Sequence, residues 1–154
     1  MSGIVVKKPK NAGVVRQVAQ GSFAYQKRDL TPDAERCHVS YYEIPPGKSN
    51  YPFHCHLNVE ESFYILRGRG ALKTIEGEIP VEAGDFVFFP AGEQGAHRLT
   101  NTSNSQPLAY LDFDTVCAYD VCLYPDSEKV AVLGKGIRQI YRLNSQVDYY
   151  DGEV

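Results

Sequence analysis

The strongest constraint on this chain is a succession of short apolar runs that alternate residue by residue and are repeatedly cut off by glycine, proline or asparagine. "CHVSYYEI" (37–44) stops at "PPGKSN", "SFYILRG" (62–68) runs into "GRG", and "FVFFP", "HRLTN" and "PLAYLDFD" follow with the same punctuation. A period of two sends alternate side chains to opposite faces of a strand, and turns at this spacing belong to an antiparallel sandwich or barrel. About eight to ten strands are expected, with Glu76-Gly77 as a hairpin tip between "ALKTI" and "EIPVEAGD". Helix is confined to a turn or two at "PDAERC", under about 15% of the chain against roughly one-third in an average domain.

The chain has 154 residues, enough for one sizeable core and short for two, so residues 1–154 are read as a single domain with its core at 37–115 and extensions at both ends. No internal repeat or low-complexity linker divides it. The C-terminal "KGIRQIYRLNSQVDYYDGEV" holds one further strand at most, and its acidic, tyrosine-rich end packs across the domain or reaches a partner subunit. With 16 Lys+Arg against 19 Asp+Glu, the net charge of -3 gives no reason to expect nucleic acid or an anionic membrane as partner. The basic "VVKKPK" reads as a solvated tail. "MSGIVVKKPK" lacks the apolar stretch of a secretory signal, and no later segment approaches the roughly 18 apolar residues of a membrane span, so a cytoplasmic protein is expected. Cys37, Cys55, Cys117 and Cys122 form no C-x-x-C pair and read as reduced, mostly buried thiols, except Cys55, where a thiolate ligand or a thioether crosslink is an alternative.

The four histidines are His38, His54, His56 and His97. In "FHCHLNVEESFYILRG" (53–68), His54 and His56 stand at i and i+2, on one face of a strand, with Phe53 and Cys55 on the other. Glu61 follows after a gap that fits a turn and the start of the neighbouring strand, and Glu60 takes the opposite parity. "GDFVFFPAGEQGAHRLTN" (84–101) brings His97 to the head of another alternating strand. His54, His56, Glu61 and His97 are therefore candidate ligands for one ion, since imidazole with carboxylate suits Zn, Fe, Mn, Ni or Cu. His38 stands outside the pattern.

These residues carry a resemblance. The stretch from Gly47 through His54, His56 and Glu61 to Gly68 is similar to the first motif of the cupin superfamily, and that from Gly84 through Pro90, Gly92 and His97 to Asn101 is similar to the second. The resemblance implies an all-β antiparallel barrel, a jelly-roll or double-stranded β-helix. It also implies one divalent transition metal ion, Fe, Mn, Ni or Zn, inside it on His54, His56, Glu61 and His97. The gap from Gly47 to His54 is one residue longer than the usual pattern and that from Gly92 to His97 two longer, changes that leave the ligands in place and reshape the mouth. "PAGEQGAH", "YPDSEKV" and "DYYDGE" together resemble small bacterial single-domain cupins of unassigned function.

The neighbouring residues carry simpler readings. Phe63 and Ile65 share parity with Glu61 and fill the core. Glu93 is a solvated loop carboxylate or an acid-base group at the mouth. Cys55 faces away from the ligands by parity. None of the eleven tyrosines is singled out as a proton donor, and no catalytic residue is assigned. An ion with open positions can bind a small sugar or organic acid for turnover, as in a metal-dependent dioxygenase or isomerase. The same ion can serve a binding or sensing module without turnover, or a closed zinc can be purely structural. A homodimer is expected, because such barrels have open sheet edges that the terminal segments can cover.

Overall fold

A computed structural model describes residues 4–13 and 15–154. Among those residues there are thirteen strands and four single 3-10 turns, and no α-helix. The strands are β1 (Val15–Gln20), β2 (Phe23–Asp29), β3 (Cys37–Ile44), β4 (Cys55–His56), β5 (Glu61–Arg67), β6 (Arg69–Thr74) and β7 (Gly77–Glu82). They continue with β8 (Phe86–Phe89), β9 (Arg98–Asn101), β10 (Leu108–Thr115), β11 (Tyr119–Tyr124), β12 (Lys129–Gly134) and β13 (Ile137–Arg142). Every ladder between these strands is antiparallel.

One face of the barrel is a six-stranded sheet in the order β1-β2-β3-β10-β5-β8. The other combines β13-β12-β11-β4 with β7-β6-β9, and an isolated bridge between His54 and His97 joins these two parts. The result is a jelly-roll barrel whose second face is seamed by two histidines. Between the faces lie Tyr42, Ile44, Phe63, Ile65, Leu72, Leu99, Leu108 and Tyr110, all 3% exposed or less. Burial of each such side chain contributes roughly 1.5–3 kcal/mol, which is why the alternating runs decide the fold.

The seam has a local cause. Ser49 bridges Thr100 and His54 bridges His97, so five steps on one strand oppose three on the other. The longer strand must bulge through Tyr51 and Pro52. Asn50 makes the bulge tolerable: its Oδ1 accepts from the backbone N–H groups of Tyr51 and Leu99, and its Nδ2 donates to the Tyr110 hydroxyl at 3.0 Å.

Several expectations are refined. The "PDAERC" helix does not form; residues 32–36 are turn and bend, tied down by Thr31, whose hydroxyl accepts from the Val39 N–H at 2.7 Å. A segment this short cannot nucleate a helix against a competing side-chain bond. The hairpin tip lies one residue earlier than read, at Ile75-Glu76, because Thr74 pairs with Gly77. The strand count exceeds the eight to ten expected, partly because β1 and β2 carry many polar residues and are only partly buried. The one strand read in the C-terminal stretch is β13. Val5 and Val6 are exposed, in keeping with a solvated N-terminal segment; Met1–Gly3 and Val14 lie outside the described residues.

Candidate metal centre

The three histidines are gathered by backbone pairing. His54 and His97 exchange both backbone hydrogen bonds, His54 N–H to His97 O at 3.2 Å and His97 N–H to His54 O at 2.8 Å. Directly opposed residues of an antiparallel pair share a face, and the ring centroids are 4.9 Å apart. His56, two residues on, returns to that face with its ring 5.1 Å from His54. Cys55 takes the other side and packs with Phe53, Ala96 and Leu123, as parity requires.

Glu61 arrives differently from the sequence expectation. The segment 53–68 is not a hairpin: β4 pairs with β11, whereas β5 pairs with β10 and β8 in the facing sheet. The chain turns a corner between them, so Glu61 approaches the histidines from across the barrel. Its Oε2 lies 3.2 Å from His97 Nε2 and 3.9 Å from His56 Nε2. Ligand atoms of His54, His56 and Glu61 fall within 4.8 Å of one another. Glu60 is exposed and points away.

Each imidazole is oriented through its other nitrogen. His54 Nδ1 is 2.9 Å from Pro52 O, and His97 Nδ1 is 2.9 Å from Gly95 O. A carbonyl only accepts, so Nδ1 carries the proton in both rings and Nε2 is left with a free lone pair. His56 Nδ1–H donates to Asp120 Oδ2 at 2.5 Å. Phe89 stacks on His97 at 3.6 Å and Phe63 meets it edge-on, fixing the ring plane. His97 Nε2 and Glu61 Oε2 are buried with no hydrogen-bond partner among the described residues.

Electrostatics separate His54 from His56. Burial, helped by the neighbouring His97, lowers His54 to about 4. Burial also acts to lower His56, but the Asp120 hydrogen bond wins and raises it to about 11. Glu61 is held down at about 2: burial works against its charge, and the surrounding histidines, His97 foremost, outweigh it.

His54, His56 and Glu61 open on a cavity of about 270 Å³ bordered by Tyr51, Tyr124, Asp112 and Asp114, with His97 buried behind them. Asp112 is 3% exposed with Oδ1 unpartnered among the described residues. Burial and the nearby Glu61 push Asp112 well above the carboxylate range and Asp114 up to about 6. Glu93 lies elsewhere. The two extra residues before His97 fold into the 3-10 turn Glu93–Gly95, and Glu93 lines a groove behind Phe53 and Cys55, away from the cavity. The lengthening before His54 does reach it, through Tyr51. Phe63 and Ile65 are core, and His38 bonds the Thr31 carbonyl at 3.2 Å. All four cysteines are free thiols, but only Cys55 and Cys122 are buried; Cys37, at the start of β3, and Cys117, just beyond β10, are exposed.

Sequence reading missed Asp120, Asp112 and Asp114. Asp120 stands 64 positions from the histidine it orients, and its only signal is its place at the head of the alternating "YDVCLY". Asp112 and Asp114 sit in "PLAYLDFD", where two acids at i and i+2 in an apolar strand mark one inward, polar face. Asp120 and Cys122 also form an alternative ligand group with His56.

Residues 40–114 match the cupin domain family. An oxalate-binding protein of Thermotoga maritima is 36% identical over 63 residues, which is 41% of this chain and 50% of that one; the chain thus spans half the length of this curated relative. A provisionally assigned sugar phosphate isomerase from Acidithiobacillus ferrooxidans has a similar structure, with a TM-score of 0.75 and 25% identity over 82% of this chain and 81% of that one. A cupin-superfamily sugar phosphate isomerase from Silicibacter pomeroyi has a TM-score of 0.74 and 21% identity, covering 82% of each chain. The paired histidine and glycine motifs, the jelly-roll barrel and these likenesses agree: the chain belongs to the cupin superfamily.

Proposed function

We propose that this protein binds one divalent transition metal ion, Fe, Mn, Ni or Zn, on Nε2 of His54, His56 and His97 and the carboxylate of Glu61. Through that ion it captures or acts on a small polar metabolite, an organic acid or a sugar derivative. The observation that carries the reading is the division of labour in each imidazole: Nδ1 is engaged by an acceptor, and Nε2 is left for something else. Burying His97 Nε2 and Glu61 Oε2 unpaired costs about 1–3 kcal/mol each, a cost that an ion would offset. A divalent ion, once bound, supplies a Lewis acid for ligand oxygens.

The chain's own residues do the positioning. Asp120 and the Pro52 and Gly95 carbonyls hold the rings, as outer partners of ligating histidines commonly do. Phe63 and Phe89 keep water off His97. Oxygen-rich anionic ligands are supported by two relatives, one described as oxalate-binding and another provisionally as a sugar phosphate isomerase. Binding through the ion is common to an isomerase, a dioxygenase and a non-catalytic sensor.

Elemental analysis of protein purified without chelators or a metal-affinity column tests this. About one ion per chain is expected, with most of it lost in His97→Ala while the β-sheet circular dichroism spectrum is kept. Wild-type protein that carries no ion and takes up none on titration would overturn the reading.

The proposal extends to a cytoplasmic homodimer. The edge strand β8 presents Phe86 and Phe88 at 64% and 53% exposure, an apolar edge that a second copy can cover. Light scattering at micromolar concentration should give twice the 17.2 kDa chain mass, and a monomer mass would refute the pairing.

A further inference from the structure

At the mouth of the same cavity the structure breaks a rule of sheet pairing. Arg16 and Lys27 are directly opposite one another in the β1–β2 ladder, and both side chains line the cavity. Like charges directly opposed across strands destabilise a sheet. Only part of the repulsion is relieved locally, by Asp29 at 3.5 Å from Lys27. A third cation, Arg138 of β13, reaches the same cavity from the opposite face of the barrel. Neither Arg16 nor Arg138 has an ion-pair partner among the described residues. Both are exposed, whereas Glu61 is buried, so positive charge stands at the rim and the Glu61 carboxylate at the floor.

From this we infer that Arg16, Lys27 and Arg138 form an anion subsite, and that the natural ligand is two-headed. One end carries oxygen donors for the ion, and the other is a phosphate or carboxylate held at the rim. The inference rests on the metal reading above for the first head only; the rim subsite stands on its own residues. Two guanidinium forks and an ammonium converging from two sheets suit a phosphate monoester best, since arginine binds phosphate oxygens in pairs. A local conflict of charge that Asp29 and the Tyr42 ring beneath Lys27 relieve only in part is the kind of inconsistency that functional sites retain.

Three probes separate the heads by titration calorimetry on manganese-loaded protein: glycerate, an α-hydroxy acid without an anionic tail; malate, with a carboxylate tail; and 3-phosphoglycerate, with a phosphate tail. The expected result is that 3-phosphoglycerate binds at least about tenfold more tightly than glycerate, with malate between them, and that added salt erodes the advantage. Malate equal to 3-phosphoglycerate would make the tail a carboxylate and keep the subsite. Arg16→Ala and Arg138→Ala should each shrink the 3-phosphoglycerate to glycerate ratio about fivefold or more, with metal content as in wild type. Equal affinity for all three probes, a ratio untouched by either substitution, or no binding of any probe to protein that does hold manganese overturns the inference. Inorganic phosphate titrated into metal-free protein keeps the two readings apart. Weak, Arg16-dependent binding there supports the rim subsite even if no ion binds, and its absence counts against the subsite whatever the metal content.

Discussion

The two sides of the segment Phe53–His56 are built from adjacent residues and held by the same backbone pairing, yet they end in opposite states. Outward, Phe53 and Cys55 pack with Ala96 and Leu123 in a small apolar cluster beside the groove that Glu93 lines. Inward, His54 and His56 join His97 and Glu61, and two of the resulting polar atoms are buried without a partner. The outer side leaves no buried side-chain nitrogen or oxygen unmatched among the described residues; on the proposed reading, an ion completes the inner side. Stability should therefore respond to the outer side and ligand chemistry to the inner side, with little exchange between them.

The largest break in that comparison is expected from His97→Ala or His56→Ala. Each should weaken metal binding by orders of magnitude while thermal unfolding of the metal-free protein stays cooperative, because the core of Tyr42, Phe63, Leu99 and Leu108 forms without the ion. A calorimetric scan beside a metal titration checks both halves. Phe53→Ala should do the converse, costing about 3 kcal/mol of stability in denaturant unfolding with metal stoichiometry retained.

Asp120→Asn sharpens the comparison, since Asp120 lies outside the proposed ligand set and holds His56 through Oδ2, while the Oδ1 that accepts from the Asn58 N–H is kept as the amide oxygen. Metal affinity should fall about 10–100-fold, read by competition with a chelating dye. The same variant carries a pH signature. His56 titrates near 6.5 when unfolded and at about 11 when folded, so its contribution to the metal-free protein is complete below 6.5 and is lost as pH rises towards 11. The wild-type melting temperature should fall across that window more steeply than that of Asp120→Asn. At the small end, Glu60→Gln should leave metal content unchanged, whereas Glu61→Gln should lower affinity by removing charge next to the ion.

Much of this division was legible in the sequence because it follows from period two. Parity alone separates His54 and His56 from Cys55, and Glu61 from Glu60, and the structure keeps both separations. What parity cannot carry is which strands become neighbours. "FHCHLNVEESFYILRG" reads as a hairpin because a short gap joins two runs, but β4 is only two residues long and finds its partner in β11, so the turn becomes a corner between sheets. Asp120 was invisible for the same reason: its partnership with His56 is made by that long-range pairing. The Arg16–Lys27 pair belongs to a polar hairpin whose strands lack apolar alternation, so its charges had no face to be assigned to.

The most direct test of the central claim is X-ray absorption spectroscopy of the metal-loaded protein at the metal edge, compared with His97→Ala. The account predicts a shell of nitrogen and oxygen scatterers with the multiple-scattering signature of about three imidazoles and no sulfur, falling to about two imidazoles in the variant. A sulfur scatterer would move the ion to His56, Asp120 and Cys122, and a spectrum unchanged by the loss of His97 would take that residue out of the ligand set; either result contradicts the assignment.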